Sequence, residues 1–440
     1  MTGSSKQEPR IFSGRCHIIG VLDNGMQGLA AAELQLVRQA ELVIAGRRTM
    51  QLFNNDFRAD AERMDLTGQL TRLPETIKTA LKQNRRVIVL ATGDPLCHGI
   101  GAFLSKKIPH DLLQIHPNLS MVQVAFSRLG KAWQTARICS VHTADAGEWT
   151  IDSGMEHGLY GLLTDIVQHD LLAVYTSPDN SPERIANMMQ LENLAEQFEL
   201  SVFECLLQSG ERINTGLSVK EVAEGHYKQP NLLVIERIKP PIVQPLFGYE
   251  DHFYEQRKPD KGLITRRDIR AVVLAKMQLN KKSIVWDIGA GSGSVGLEAA
   301  SLCEQGYVFA IEKNCNDLAL IHNNRKKMQL HNYSIECAKA PEKMAHWPEP
   351  DAVFIGGSAG QLEAVIELVC DKIKTNGVLV MNFITLENLH EALDIMKKYG
   401  FSWQLTQIQA AHSQPILNMN RLQADNPVWI VSATIGENKQ

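Results

Sequence analysis

Two carboxylates and a run of glycines between them are the residues of this chain most clearly arranged for chemistry. In Val285-Trp286-Asp287-Ile288-Gly289-Ala290-Gly291-Ser292-Gly293-Ser294-Val295-Gly296 an apolar stretch ends at an acid and runs into a glycine-rich turn that opens a helix. Glycines suit a turn that is tight and that a ligand's atoms approach closely. A second apolar run, 307–311, ends in Glu312. A carboxylate about 20 residues past such a turn is placed to accept hydrogen bonds from two ribose hydroxyls. The pattern predicts a site for an adenosine-containing cofactor. Two registers compete. Gly291-x-Gly293-x-x-Gly296 matches the dinucleotide fingerprint and would hold NAD. That fingerprint wants its first glycine directly after the strand, and here Gly289 already ends it. The register starting at Gly289, with Asp287 before it, fits S-adenosylmethionine better. An acid beside the loop suits the sulfonium and ammonium of that ligand. The candidate contacts are Asp287, Gly289, Ala290, Gly291, Ser292, Gly293 and Glu312.

These residues need a strand–turn–helix unit in a larger sheet, and the surrounding sequence supplies one. Apolar runs at 283–287, 307–311, 333–337, 351–355 and 378–383 alternate with helical periodicity, after a helix expected over 265–277. Thr265 is its expected N-cap, with Asp268 completing a near capping box. Two last strands, 403–409 and 427–433, are expected to follow each other without a helix, the final one antiparallel. Upstream, strands are expected at 17–21, 42–44, 86–90, 112–115, 138–141, 171–175, 201–204 and 231–236, with helices between many of them. Such alternation argues for an α/β class with largely parallel sheets. Three prolines within 239–245 can sit in neither helix nor sheet, so an extended linker is expected there. The expected organisation is a first domain over 14–240, a linker over 241–250 and a second domain over 251–436.

At 440 residues the chain is too long for one ordinary core. A net charge of −4 argues against a dedicated nucleic-acid binder. No apolar run approaches the roughly 18 residues that span a bilayer. Residues 1–13 read as a polar, disordered tail without a secretory signal. The eight cysteines are scattered, with no C-x-x-C pair. They read as reduced cytoplasmic thiols and not as a disulfide frame or metal site.

The first half has its own signals. Val87-Ile88-Val89-Leu90-Ala91-Thr92 runs straight into Gly93-Asp94-Pro95. Gly20-Val21-Leu22-Asp23-Asn24-Gly25 follows the first strand, and Pro117-Asn118-Leu119-Ser120 leads into a helix ending at Leu129-Gly130. In this order the segments resemble the tetrapyrrole methylase family, a fold of two α/β subdomains that also uses S-adenosylmethionine. The resemblance covers about 15–240 and places Gly93, Asp94, Pro95 and Ser120 at its cofactor. The family's first loop reads G-x-G, and Leu22 stands at the second glycine. Gly262-Leu263-Ile264-Thr265-Arg266-Arg267-Asp268, the glycine turn, Ala338-Lys339-Ala340-Pro341-Glu342, Phe354-Ile355-Gly356-Gly357-Ser358 and Asn426-Pro427-Val428 resemble the C15-methylating, decarboxylating precorrin methyltransferases. That family has a Rossmann-like, seven-stranded sheet. The likeness adds Thr265 and Ala340 to the cofactor contacts and covers about 248–435. It departs from the family at Ala338 and Lys339, where glycine and aspartate are common.

Together the two resemblances imply a bifunctional C-methyltransferase of corrin synthesis, with one S-adenosylmethionine per domain. The first domain would methylate C5 of a precorrin macrocycle. The second would methylate C15 and remove the C12 acetate carboxylate as carbon dioxide. An electron-rich macrocycle is its own nucleophile, so the protein's task is to position two large ligands and exclude water. No acid–base residue, catalytic triad or metal cluster stands out. Arg128, Arg212, Arg266 and Arg270 are candidates for holding carboxylates bidentately, with Gly356 and Gly357 beside the acceptor. As plain structure, Arg266, Arg267 and Arg270 would be a solvated helix face. The alternatives are that only the second domain is active, or that the chain is a non-catalytic module binding a tetrapyrrole or the methyl donor. A homo-oligomer is expected, with no nucleic-acid or membrane partner.

Overall fold

The computed structural model describes residues 14–142, 145, 147–241, 244–257 and 264–434. The expected N-terminal tail, Ile242 and Val243 of the proline segment, and Gly262 and Leu263 lie outside the described residues. Two compact units emerge. One comprises Met1–Asp145, Asp165–Asn187 and Ala195–Lys239; the other comprises Ala146–Thr164, Met188–Leu194 and Pro240–Gln440.

The first unit holds two five-stranded sheets. Strands β1 (Cys16–Val21), β2 (Leu42–Ala45), β3 (Glu62–Asp65), β4 (Val87–Thr92) and β5 (Leu113–His116) form a parallel sheet in the order β3-β2-β4-β1-β5. Its central strands are apolar on both faces because helices cover both. Ile18, Ile44 and Val89 pack into one core, and Ile19, Val43 and Ile88 into the other. Strands β6 (Arg137–Ser140), β7 (Leu171–Tyr175), β8 (Phe198–Glu204), β9 (Arg212–Ser218) and β10 (Asn231–Arg237) form the second sheet, in the order β6-β7-β10-β8-β9. Only β6 and β7 run parallel there. In this half the expectation of largely parallel sheets therefore fails for the second sheet alone. The segment between β8 and β9 is too short for a crossover helix, so the chain reverses and pairs antiparallel. Strands β3 and β9 escape the sequence reading because they are polar, mostly exposed edge strands without apolar alternation.

The second unit is built on β11 (Ile284–Ile288), β12 (Tyr307–Glu312), β13 (Tyr333–Cys337), β14 (Ala352–Ile355), β15 (Val378–Phe383), β16 (Trp403–Ile408) and β19 (Val428–Thr434). Their order is β13-β12-β11-β14-β15-β19-β16, parallel except for β19, which is antiparallel to both its neighbours. The seven-stranded sheet with one reversed strand matches the expectation. The direct junction of the last two strands does not. Between them stands a separate hairpin, β17 (Ala411–Ile416) and β18 (Met419–Ala424), exposed along its whole length. Two cores flank the sheet, one around Trp286, Ile288, Val353 and Met381 and the other around Val285, Val308, Phe354 and Val380.

The proline-rich segment is not a free tether where it is described. The Gln244 side chain donates to the Lys327 carbonyl at 3.0 Å, and the Gly248 N–H donates to Glu298 at 2.8 Å.

Candidate cofactor site

Five parallel strands bring their carboxyl ends to one edge of the second unit's sheet, where open α/β sheets bind ligands. A cavity of about 640 Å³ lies there, within the size range of a ligand site. Its wall takes residues from the ends of β11 (Gly289, Ala290, Gly291), β12 (Glu312), β14 (Gly356, Gly357) and the segment after β13 (Ala340). Thr265 and Arg266 close it from the segment before the helix Arg267–Lys276.

The turn's geometry explains its composition. Gly289 has φ +73°, and a Cβ there would lie 2.4 Å from the backbone oxygen of Gly357. Two strand ends therefore touch backbone to backbone, and no larger residue fits. The Gly289 and Ala290 N–H groups both donate to the Ile311 carbonyl, at 2.9 and 3.1 Å, tying the turn to β12. Glu312 is buried at the end of β12. One carboxylate oxygen accepts from the Gly291 N–H and the other from the Asn314 N–H, each at 3.0 Å. Each oxygen keeps a lone pair for a ribose hydroxyl. Gly293 is the N-cap of the helix Ser294–Leu302, so that helix's unsatisfied N–H groups begin at the pocket wall.

Three expected contacts are placed differently. Asp287 is buried behind the wall, where it accepts from the Gly296 N–H at 3.1 Å. Its other oxygen has no partner among the described residues. Burial, and secondarily the nearby Glu312, push its carboxyl up to about 7, against the opposing pull of the Gly296 N–H. Asp287 thus braces the turn from beneath, and the expected contact with the ligand's cationic groups is absent from the geometry. Ser292 and Gly293 also lie off the cavity wall. Ser292 is buried, with a hydroxyl that has no partner among the described residues. The wall resumes at Ser294 and Val295, so the two residues between point away from the cavity as the turn winds into the helix.

The arginines separate. Arg266 lines the cavity and pairs with Asp425, which lines it too. Arg270 is fully buried. It donates to Glu298 at 2.9 Å and to Asp251 at 2.8 Å, and it binds the Tyr249 carbonyl. It is a structural cation, and neither the solvated-face nor the substrate-rim expectation holds for it. Helix i, i+4 spacing from Arg266 hid this, because burial comes from residues 248–254 folding over that face. The helix begins at Arg267 and not at Thr265, and Asp251, from a remote segment, caps its first N–H at 2.9 Å. The expected Thr265–Asp268 box is replaced by this longer-range cap. Another correction concerns the thiols. Cys315 and Cys337 form a disulfide, with Cα atoms 5.3 Å apart. They are 22 residues apart in sequence, but they follow and end adjacent strands in which Glu312 faces Cys337.

In the first unit the loops singled out from the sequence converge. The Gly93 N–H donates to the Val21 carbonyl at 2.8 Å, and a Cβ on Gly20 would lie 2.5 Å from the Gly93 oxygen. Asn118 donates to the carbonyls of Gly20 and Gly28, both at 3.0 Å. Asp94 accepts from the Leu96 N–H at 2.8 Å, and Pro95 is buried behind it. Ser120 caps the helix Met121–Leu129 in a reciprocal box with Gln123. Leu22 is itself buried. Arg128 is paired with Glu211 at 2.9 Å, and Arg212 lies 3.7 Å from the buried Glu204.

Residues 257–434 match the model of the precorrin methyltransferase domain, and residues 15–216 match that of the tetrapyrrole (corrin/porphyrin) methylases. A cobalt-precorrin-6B C(15)-methyltransferase (decarboxylating) of Salmonella typhimurium is 36% identical over 40% of this chain and 91% of its own length. The chain belongs to the precorrin methyltransferase family. A precorrin-6Y C(5,15)-methyltransferase [decarboxylating] of a Sinorhizobium species is 29% identical over 99% of this chain and 100% of its own length. Among solved structures, a precorrin-6Y C5,15-methyltransferase of Geobacter metallireducens is 37% identical, covering 43% of this chain and 98% of its own, with a TM-score of 0.41. No described helix is long and apolar enough to cross a membrane.

The sequence reading missed Asn382, Asp425 and Lys313 in the cavity wall. Lys313 and Asn382 stand at or just past strand ends, so the rule that ligands gather outside the carboxyl ends of strands could have found them.

Proposed function

We propose that this chain is a bifunctional S-adenosylmethionine-dependent C-methyltransferase of cobalamin synthesis. It methylates precorrin-6Y at C5 and C15 and decarboxylates the C12 acetate, giving precorrin-8. The observation that carries the reading is the end-to-end match to a relative bearing both activities in its name, over 99% of this chain. The order of its two family matches supports it. Residues 14–240 would form the C5-methylating domain and 251–436 the C15-methylating, decarboxylating domain.

The second unit's cavity suits the methyl donor. Glu312 would take the ribose hydroxyls, and the backbone of Gly289, Ala290 and Gly291, with Thr265 and Ala340, would border the rest. The start of the helix Ser294–Leu302 suits the ligand's carboxylate, because free N–H groups and the helix dipole favour an anion there. When bound, S-adenosylmethionine supplies an electrophilic methyl on sulfur. The protein's part is to hold the acceptor carbon in line and to keep water out. Asp287 contributes by fixing the turn. The cavity's acceptor side carries neutral and acidic groups, among them Asn382, Asn388 and Glu391, and Arg266 already spends its charge on Asp425. A carboxylate that meets no free cation on that side is easier to lose as carbon dioxide; Lys313, the other cation among the described lining residues, follows Glu312 at the donor end. In the first unit, Gly93, Asp94, Pro95 and Ser120 would hold the second donor molecule. A homo-oligomer in the cytoplasm completes the reading. The exposed hairpin β17–β18, with Leu417, Met419 and Leu422 open to solvent, is the surface a second copy would cover.

The test is the mass of the product made from precorrin-6Y and S-adenosylmethionine. Gain of two methyls with loss of one carbon dioxide is expected. Gain of a single methyl at C15 with that loss would restrict activity to the second unit. No mass change would reduce the chain to a binding module.

A further inference from the structure

We propose that Asn382 holds the methyl-accepting macrocycle in the second unit, its side-chain carbonyl accepting a hydrogen bond from a ring N–H. The inference rests on the reading of the cavity as the C15-methylating site.

Asn382 stands near the carboxyl end of β15 and lines the cavity. Its side-chain oxygen is buried without a hydrogen-bond partner among the described residues. A buried polar atom left unpaired is costly, so native structures seldom keep one without a use. The flanking Met381 and Phe383 are apolar, as expected for a central strand, which makes the amide the exception in its run.

Sheet order says which ligand it serves. The strands from Glu312 to Asn382 run β12, β11, β14, β15. At about 4.8 Å per strand, Asn382 sits roughly 14 Å from the ribose-binding carboxylate. The glycine turn after β11 and the pair Gly356–Gly357 after β14 lie between. The donor therefore fills the β13–β11 side, and the β15 end is left for the acceptor. An amide suits that acceptor: a tetrapyrrole carries ring N–H donors at its centre, and a neutral carbonyl accepts from them without placing a charge against its carboxylates.

The test replaces Asn382 with leucine, close in size and without polar atoms, in the full chain. Substrates are precorrin-6Y and S-adenosylmethionine. The expected result is a rise of at least tenfold in the macrocycle KM for C15 methylation. Donor affinity by calorimetry should change less than twofold, and C5 methylation should be unaltered in the same product. Thermal stability should equal or exceed that of the parent, since an orphaned atom has been removed. An unchanged macrocycle KM would overturn the assignment, as would an equal loss of donor affinity. If N382L does not fold, N382S is read by the same criteria. A parent chain that neither binds the donor nor changes the macrocycle's mass would sink the cavity reading, and the inference with it.

Discussion

Asp287 and Glu312 are both acids at strand ends, yet they do different work because one is behind the wall and the other in it. Asp287 is fully buried, and its carboxyl titrates near 7 instead of the ordinary 3.8, chiefly because burial disfavours its charge. The folded state thus binds a proton that the unfolded chain has released. The contribution is present below about pH 4 and is lost as pH rises through about 7. At about 1.4 kcal/mol per unit, the swing is on the order of 4 kcal/mol. Asp287→Asn keeps the acceptor for the Gly296 N–H but cannot ionise. Its urea unfolding free energy should fall less between pH 4 and pH 7 than the parent's, and parallel curves would count against this role. Glu312 meets N–H donors with both oxygens and faces the cavity. Glu312→Gln should weaken S-adenosylmethionine binding at the second site about tenfold to a hundredfold, the scale of a charge-assisted hydrogen bond. Calorimetry on the full chain would read this as loss of one of two sites.

At the scale of elements, the glycine turn depends on contact between strand ends more than on local flexibility. A side chain at position 289 meets the backbone of Gly357 and cannot rotate away, and φ there is left-handed. Gly289→Val should therefore abolish donor binding in the second unit and clearly lower its melting temperature, since the strand ends must separate to admit the side chain. Elements with a strong apolar period were legible: β1, β4, β7, β11, β12 and β15 fall within a residue or two of expectation. The strands β3 and β9 were not, because an edge strand needs no apolar face. The start of the helix Arg267–Lys276 was misjudged for a related reason. Its first N–H is served by Asp251, which lies 16 residues upstream of Arg267, and no local motif records that bond. The hairpin β17–β18 reads as polar sequence, and only its protrusion makes Leu417 and Leu422 conspicuous, at 93% and 74% exposure.

For the whole molecule, if each unit holds its own donor, a lesion in one should spare the other. Precorrin-6Y turned over by Gly289→Val should gain one methyl and keep its carbon dioxide. Loss of both methylations would argue against independent sites. If copies of the chain meet at the hairpin, Leu417→Asp combined with Leu422→Asp should lower the sedimenting mass without lowering the melting temperature. An unchanged mass would place the interface elsewhere.

The linear sequence by itself determined the class of the fold and the location of the turn, because both follow from short-range rules. Glycines are tolerated where backbones crowd, and apolar period reports which residues a sheet buries. It also brought Glu312 next to Gly291, since one strand–helix–strand unit fixes the distance between them. What only the tertiary structure decided was direction and partnership. It turned Asp287 inward, spent Arg270 on Glu298, joined Cys315 to Cys337, and brought Asn382 to the cavity. Those outcomes depend on how separate elements pack together, and the energy of a buried polar group is set by whom it meets.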